Sequence, residues 1–246
     1  MYQNYIFDLY GTLIDIHTDE ENPFLWEKLS NVFKMNGVFY NSRELKKRYH
    51  ELVLQEQNHS LANAKHLYPD EEISINDIEI SIENVINQLF TERKITVNQQ
   101  QIQDICIFFR SISLEYICLF EGVKKLFGQL HNAGKKIYLL SNAQRVFTEP
   151  EMKLLGIYNY FDGILYSSDA GFKKPSAIFY QTLFNKFQLD KKHSVMTGNE
   201  KIADIDGASN FGIDSIYIHT NQSVPFTGTL PPHCRQIHDI TEVFYV

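Results

Sequence analysis

The stretch "NYIFDLYGTLID", residues 4–15, places an acid, Asp8, at the end of a short apolar run and follows it with Gly11 and Thr12. A carboxylate at the tip of a buried strand can attack phosphorus or carbon and form a covalent aspartyl intermediate. Further groups with useful chemistry sit after or between other apolar runs. Ser141 and Asn142 follow "KKIYLL". Lys173 and Lys174 precede Pro175 in "GFKKPS". The run "SVMT" leads into Gly198-Asn199-Glu200, with Asp204 four residues beyond Glu200. This set suits a substrate with an anionic head. A phosphate brought to Asp8 meets like-charge repulsion, which a divalent cation held by the acids removes while polarising the phosphoryl oxygens. Ser141, the backbone N–H groups after it and Lys174 are placed to stabilise the remaining oxygens. Each residue alone has an ordinary structural use as a turn, a cap or a helix-start acid. The ordered set, each member at a strand end, outweighs those separate uses.

Positioning such groups requires a sheet whose strand ends share one rim. Four short apolar runs read as buried parallel strands: Tyr5–Phe7, Ile137–Leu140, Ser194–Thr197 and Ser215–Ile218, with a weaker fifth at Ile164–Tyr166. Between them lie helical patterns, such as Val123, Leu126, Phe127 and Leu130 at i, i+3, i+4 and i+7, stopped by Gly134. Helix, glycine, strand and polar loop in repetition predict an α/β fold with a Rossmann-like parallel sheet covered on both faces. In such sheets ligands bind beyond the carboxyl ends of the strands.

Residues 16–115 read differently. Leu25, Leu29, Val32 and Phe33 share a helical face, as do Leu45, Tyr49, Leu52 and Val53, and again Ile82, Val85, Ile86, Leu89 and Phe90. No strand rhythm separates them. The pattern predicts an all-helical domain, 16–115, inserted into a core of 1–15 and 116–246, with a polar loop over His59–Asp77. Within the insert His17, Arg43, Arg48 and His59 are the polar candidates for reading a substrate.

Composition narrows the function class. The chain has 246 residues, 43% hydrophobic and 22% charged, with a formal net charge of −7. No long basic run marks a nucleic-acid partner, and no apolar run approaches the ~18 residues of a membrane span. Three widely spaced cysteines, Cys106, Cys118 and Cys234, fit neither a disulfide framework nor a zinc site. They point to a reducing, cytoplasmic setting, and no signal-peptide pattern opens the chain. The expected partner is a small anionic substrate; nothing bears on oligomeric state.

The motifs together resemble those of the haloacid dehalogenase superfamily. "FDLYGTLID" is similar to its first motif, "LLSNA" to its second, "GFKKPSAIF" to its third and "TGNEKIADIDGASNFGI" to its fourth. The match covers roughly 1–15 and 116–220, and the insert resembles the helical C1 cap of subfamily I. The resemblance implies a hydrolase in which Asp8 is the nucleophile, Ser141 binds the transferred group and Lys174 neutralises charge around Asp8. It implies Mg2+ as cofactor, held by Asp8, Asp204, the backbone carbonyl of Tyr10 and an acid at Glu200. Gly11, Thr12 and Asn142 are the accompanying substrate-binding candidates, and Tyr10 stands where the family's second catalytic residue stands.

Two departures matter. Most phosphatases of the family carry an Asp where this chain has Tyr10. A phenol titrates near pH 10, so at neutral pH it donates a proton but is a poor base. Asn199 stands where the fourth motif commonly has its first Asp, with Glu200 as the alternative acid. A tyrosine at position 10 resembles the superfamily's C–halogen dehalogenases, whose halide leaves without a proton and without metal. In those enzymes a tyrosine usually follows the third-motif lysine by six residues, the place of Tyr180 here. The Gly-Asn-Glu…Asp204 run is more like a metal site. The reading is therefore hydrolysis of a small phosphate ester with Mg2+, against a metal-free 2-haloacid dehalogenase or a weakly active, binding-only member.

Overall fold

The computed structural model describes residues 2–246. Its centre is a six-stranded parallel sheet made of β1 (Asn4–Phe7), β4 (Lys136–Ser141), β5 (Gly163–Tyr166), β6 (Ser194–Gly198), β7 (Asp214–Ile218) and β8 (Cys234–Ile237), in the order β5-β4-β1-β6-β7-β8. All five strands expected from the sequence are present. The sixth, β8, is a short edge strand with only Ile237 buried, so its sequence carries little apolar signal. The alternation of strand side chains divides the core into two layers. Tyr5, Phe7, Ile137 and Leu139 face one side, where they pack on Val123, Leu126, Phe127 and Leu130 of α5 (Val123–Asn132). Ile6, Tyr138, Leu140 and Met196 face the other, against Phe179, Tyr180, Leu183 and Phe184 of α8 (Ala177–Phe187). A sheet buried on both faces needs the continuous apolar runs by which its strands are recognised.

Four helices lie in the connection between β1 and β4: α1 (Pro23–Met35), α2 (Ser42–Leu67), α3 (Ile82–Thr91) and α4 (Gln99–Ser113). Their apolar stripes close on one another. Leu25, Leu29, Phe33, Leu45, Ile86, Leu89 and Phe90 are buried in a core separate from those of the sheet, joined by Val146 and Phe147 from α6 (Arg145–Leu154). The polar stretch beginning at His59 is not a loop at its start. Helix α2 runs on to Leu67, its register held by Ala64, which is buried against the sheet's second layer. Residues such as Leu61, Ala62 and Ala64 favour helix, and a single buried small residue leaves no visible stripe.

The chain enters and leaves the helices through a two-stranded antiparallel ribbon, β2 (Ile14–Thr18) with β3 (Leu114–Leu119). The boundaries expected at 15/16 and 115/116 fall inside this ribbon, so the insert begins and ends in paired strands rather than in linkers. The short helices α7 (Ser167–Ala170) and α9 (Gly207–Phe211) complete the connections.

Candidate active site

Strand order puts the sequence-predicted groups together. Asp8 follows β1, Ser141 ends β4 and Asn199 follows β6. These are three adjacent parallel strands whose neighbours stand about 4.8 Å apart. The Asp8 N–H donates to the Thr197 carbonyl at 2.9 Å, extending the ladder by one residue before the chain turns. The turn is tight: Leu13 and Ile14 N–H both donate to the Leu9 carbonyl, at 2.8 and 3.0 Å. Gly11 has φ +80°, and a Cβ there would lie 2.5 Å from Asn199 Nδ2, so the position admits only glycine. Leu9, Leu13 and Ile14 anchor the turn in the core.

The Asp8 carboxylate is buried and held at both oxygens. Lys174 Nζ donates to Oδ1 at 2.6 Å, and the Thr12 hydroxyl lies 3.1 Å from Oδ2. The same ammonium donates to Asp204 Oδ1 at 2.7 Å. Lys174 is itself fixed by Asn142, whose Oδ1 accepts from the Lys174 N–H at 2.7 Å and whose Nδ2 donates to the Lys174 carbonyl at 3.1 Å. Asn142, expected as a substrate-binding residue, thus has both ends of its amide committed to aiming the lysine. Thr12 is similarly engaged. Its hydroxyl accepts from the Asn199 N–H at 3.1 Å and has Asp8 Oδ2 and Asn199 Oδ1 as competing acceptors for its one proton. Ser141 is buried at the end of β4.

Asp204 sits on a π-helical turn, Lys201–Asp206, and its Oδ2 accepts from the Glu200 N–H at 2.9 Å. A Cβ at position 198 would fall 2.2 Å from this carboxylate, so Gly198 is the condition for its approach to the strand end. The Tyr180 hydroxyl, fully buried, lies 2.9 Å from the Ala203 carbonyl and 3.1 Å from that of Asp204. It secures carbonyls that a π-turn leaves outside regular helical bonding.

The charges do not balance. One ammonium faces two buried carboxylates. Burial raises the Asp204 carboxyl most; Lys174 opposes the rise and Asp8 adds to it, leaving it pushed up to about 7. For Lys174 burial works against the charge, but Asp204 and Asp8 outweigh it and the ammonium is held above its ordinary value. Among the described residues no three acidic, histidine or cysteine side chains converge on one point. Glu200 contributes its backbone N–H to Asp204 while its side chain is exposed, so the sequence-predicted acid set is assembled only as Asp8 and Asp204. Desolvation, then the charge of Asp8, raises the Glu200 carboxyl.

Tyr10 is turned to another purpose. Its hydroxyl donates to Glu151 Oε2 and lies 3.0 Å from the Thr148 hydroxyl, both on α6. Glu151 Oε1 accepts from Arg110 Nε of α4 at 2.6 Å. The guanidinium lies 5.6 Å from the Tyr10 ring centre and 5.4 Å from that of Phe147. Burial, then the neighbouring Glu151 charge, holds the phenol well above its ordinary value. Arg110, Thr148 and Glu151 escaped the sequence reading because nothing local marks them. Their partner lies 100 or more residues away in the chain.

A cleft of about 420 Å³ opens beside Tyr10 and Asn142, lined also by β2, Arg110 and Gln144. Of the four insert residues singled out as polar candidates, His17 lines it; Arg43, Arg48 and His59 do not. The insert is tied down next to the site. Lys173 N–H donates to the Asp77 carbonyl at 2.9 Å, and the Gln144 amide accepts from Ile82 N–H at 2.9 Å and donates to the Ile80 carbonyl at 2.8 Å.

Comparison with known proteins bears on the family and the fold. Residues 2–212 match the family model of haloacid dehalogenase-like hydrolases. A glyceraldehyde 3-phosphate phosphatase of Methanothermobacter thermautotrophicus is 25% identical over 114 residues, 46% of this chain and 50% of that protein. A phosphoglycolate phosphatase of Vibrio vulnificus (strain CMCP6) is 28% identical over 116 residues, 46% of this chain and 51% of that one. The chain spans about half the length of the curated relatives it matches. The 2-haloacid dehalogenase of Pseudomonas syringae pv. Tomato DC3000 shares the fold, with a TM-score of 0.58 at 17% identity over 99% of this chain and 96% of that one. Among the described residues no helix is long and apolar enough to cross a membrane. With a family model spanning most of its length, the chain belongs to the haloacid dehalogenase-like hydrolases.

Proposed function

We propose that the chain hydrolyses small phosphate monoesters through Asp8, with Mg2+ as cofactor and the helices α1–α4 as a cap over the cleft. The observation that carries this reading is the Lys174 ammonium shared between two buried carboxylates, Asp8 and Asp204. A lone acid–lysine pair would be neutral. Two acids against one base leave a negative charge in a desolvated place, and a hard divalent cation is its natural complement.

The donor set fits that cation. Asp8 and Asp204 supply carboxylate oxygens, and the Tyr10 carbonyl accepts no hydrogen bond among the described residues. These three would hold Mg2+, the rest of its shell being water, with Glu200 near enough to Asp8 to feel its charge. Bound there, the cation supplies charge neutralisation and polarisation of the phosphoryl oxygens.

The chain's own residues do the rest. A carboxylate oxygen of Asp8 attacks phosphorus, the ester P–O bond breaks, and the leaving alkoxide takes up a proton. Water then attacks the aspartyl phosphate, phosphate departs and the Asp8 carboxylate is restored. Lys174 and Ser141 stabilise the phosphoryl oxygens. The Tyr10 hydroxyl, donating to Glu151, is not free to protonate the leaving oxygen, so esters with good leaving groups are favoured.

The test is phosphate release from p-nitrophenyl phosphate, with and without Mg2+, by the native chain and Asp8→Asn. The amide keeps the shape and removes the attacking charge. Turnover is expected to need Mg2+ and to fall on the order of 10⁴- to 10⁶-fold in the variant. Halide release from 2-chloropropionate without phosphate release from the ester would overturn the reading.

A further inference from the structure

The cleft beside Tyr10 adjoins the Asp8 loop and is lined by Asn142, which holds the Lys174 backbone, and its walls carry an unusual charge balance. Arg110 and His17 are the basic side chains that line it. Arg110 is committed elsewhere and His17 is exposed to solvent. Arg110, only 13% exposed, is bound through two nitrogens to Glu151, itself 8% exposed, at 2.6 and 3.4 Å. His17 Nε2 lies 3.7 Å from Glu115.

The acids of the cleft are not matched in this way. Glu79 Oε1 accepts from Ile80 N–H at 3.0 Å and Gln144 Nε2 at 3.2 Å, and Oε2 accepts from the Ser167 hydroxyl at 2.9 Å. All three donors are neutral. The Glu20 side chain, on an exposed residue, has no hydrogen bond or ion pair among the described residues. One guanidinium therefore stands against Glu151, Glu20 and Glu79.

Resting on the phosphatase reading above, we propose that the cleft selects phosphate monoesters whose leaving alcohol is uncharged and hydroxylated, and rejects those that carry a second anion. Carboxylates are acceptors only, so Glu20 and Glu79 can receive the O–H groups of a polyol. A carboxylate or second phosphate on the leaving side meets the like charges of Glu20 and Glu79, and the guanidinium that could pair it is already bound to Glu151.

Two esters of nearly equal size decide the matter: 2-hydroxyethyl phosphate and phosphoglycolate, compared by kcat/KM alongside p-nitrophenyl phosphate. The hydroxyethyl ester is expected to be favoured by at least about tenfold, the size of a like-charge penalty at intermediate dielectric. Glu20→Lys, at an exposed position, is expected to shrink that ratio by a similar factor, with its thermal melt confirming the fold. Equal or better turnover of phosphoglycolate overturns the selectivity while leaving the phosphatase reading intact, as does an unchanged ratio in Glu20→Lys. Absence of phosphate release from all three esters overturns both.

Discussion

Two buried charge clusters flank the loop from Asp8 to Thr12, and they differ in one respect. Around Asp8, one lysine serves two carboxylates. Around Tyr10, one arginine serves one carboxylate, and the phenol adds a neutral hydrogen bond. Within their direct contacts the second cluster is paired: the Arg110 and Glu151 charges match, the donors of Tyr10 and Arg110 converge on Glu151, and two helices from different parts of the fold are joined. The first is incomplete without another positive charge. A balanced cluster serves structure, whereas an unbalanced one at a strand rim is suited to a cation and an anionic substrate. Position in the sequence does not separate them, since Asp8 and Tyr10 are two residues apart.

The largest effect that would break this distinction comes from Lys174. Lys174→Met leaves two buried carboxylates facing each other, and turnover of p-nitrophenyl phosphate is expected to fall about 10²- to 10³-fold, as for loss of a preorganised charge stabiliser. Added Mg2+ is expected to raise the melting temperature of this variant more than that of the native chain. Activity within a few-fold of native would show that the shared ammonium is structural only.

The Tyr10 cluster is tested by stability. Glu151→Gln or Arg110→Met is expected to cost about 3–5 kcal/mol, because each leaves a buried charge without its partner. Removing both partners as Arg110→Met with Glu151→Gln is expected to cost less than the two single changes added together. Urea unfolding of the four proteins completes the cycle. Simple additivity would deny that the pair acts as a unit.

The smallest effect sharpens the comparison most. Tyr10→Phe removes the hydroxyl that donates to Glu151 and is expected to cost about 1–3 kcal/mol of stability. If that hydroxyl were the leaving-group acid, turnover of an alkyl phosphate would drop about 10²-fold or more. The expected change is under about threefold, since a well-made bond to Glu151 already holds the proton.

The same contrast governs what could be read from the sequence. Asp8, Ser141 and the Asn199 segment follow apolar runs, and the sheet's parallel topology sends such residues to one rim, so their meeting was legible. Lys174 and Asp204 were legible through the motifs around them. Glu151 was not: it reads as one more acid on a helix, and only the approach of α4 to α6 gives it Arg110. The commitment of Asn142 to the Lys174 backbone was hidden for a similar reason, since an amide after a strand suits a ligand as well as a neighbouring chain. In β2, Ile14 and Ile16 alternate with polar neighbours at period two, a weak strand signal that the helical stripes on either side obscured.

The ribbon that carries the chain into and out of the helices has a mechanical consequence. Two free linkers would allow the helices to bend about each crossing independently. Here the crossings are laddered from Ile14 opposite Leu119 to Thr18 opposite Leu114, so they flex and twist together as one strip. Widening the cleft then amounts to torsion of that strip coupled to release of the latches at Gln144 and between Asp77 and Lys173. Because the second latch is made by the residue next to Lys174, the helices are tied to the very segment that presents the shared ammonium.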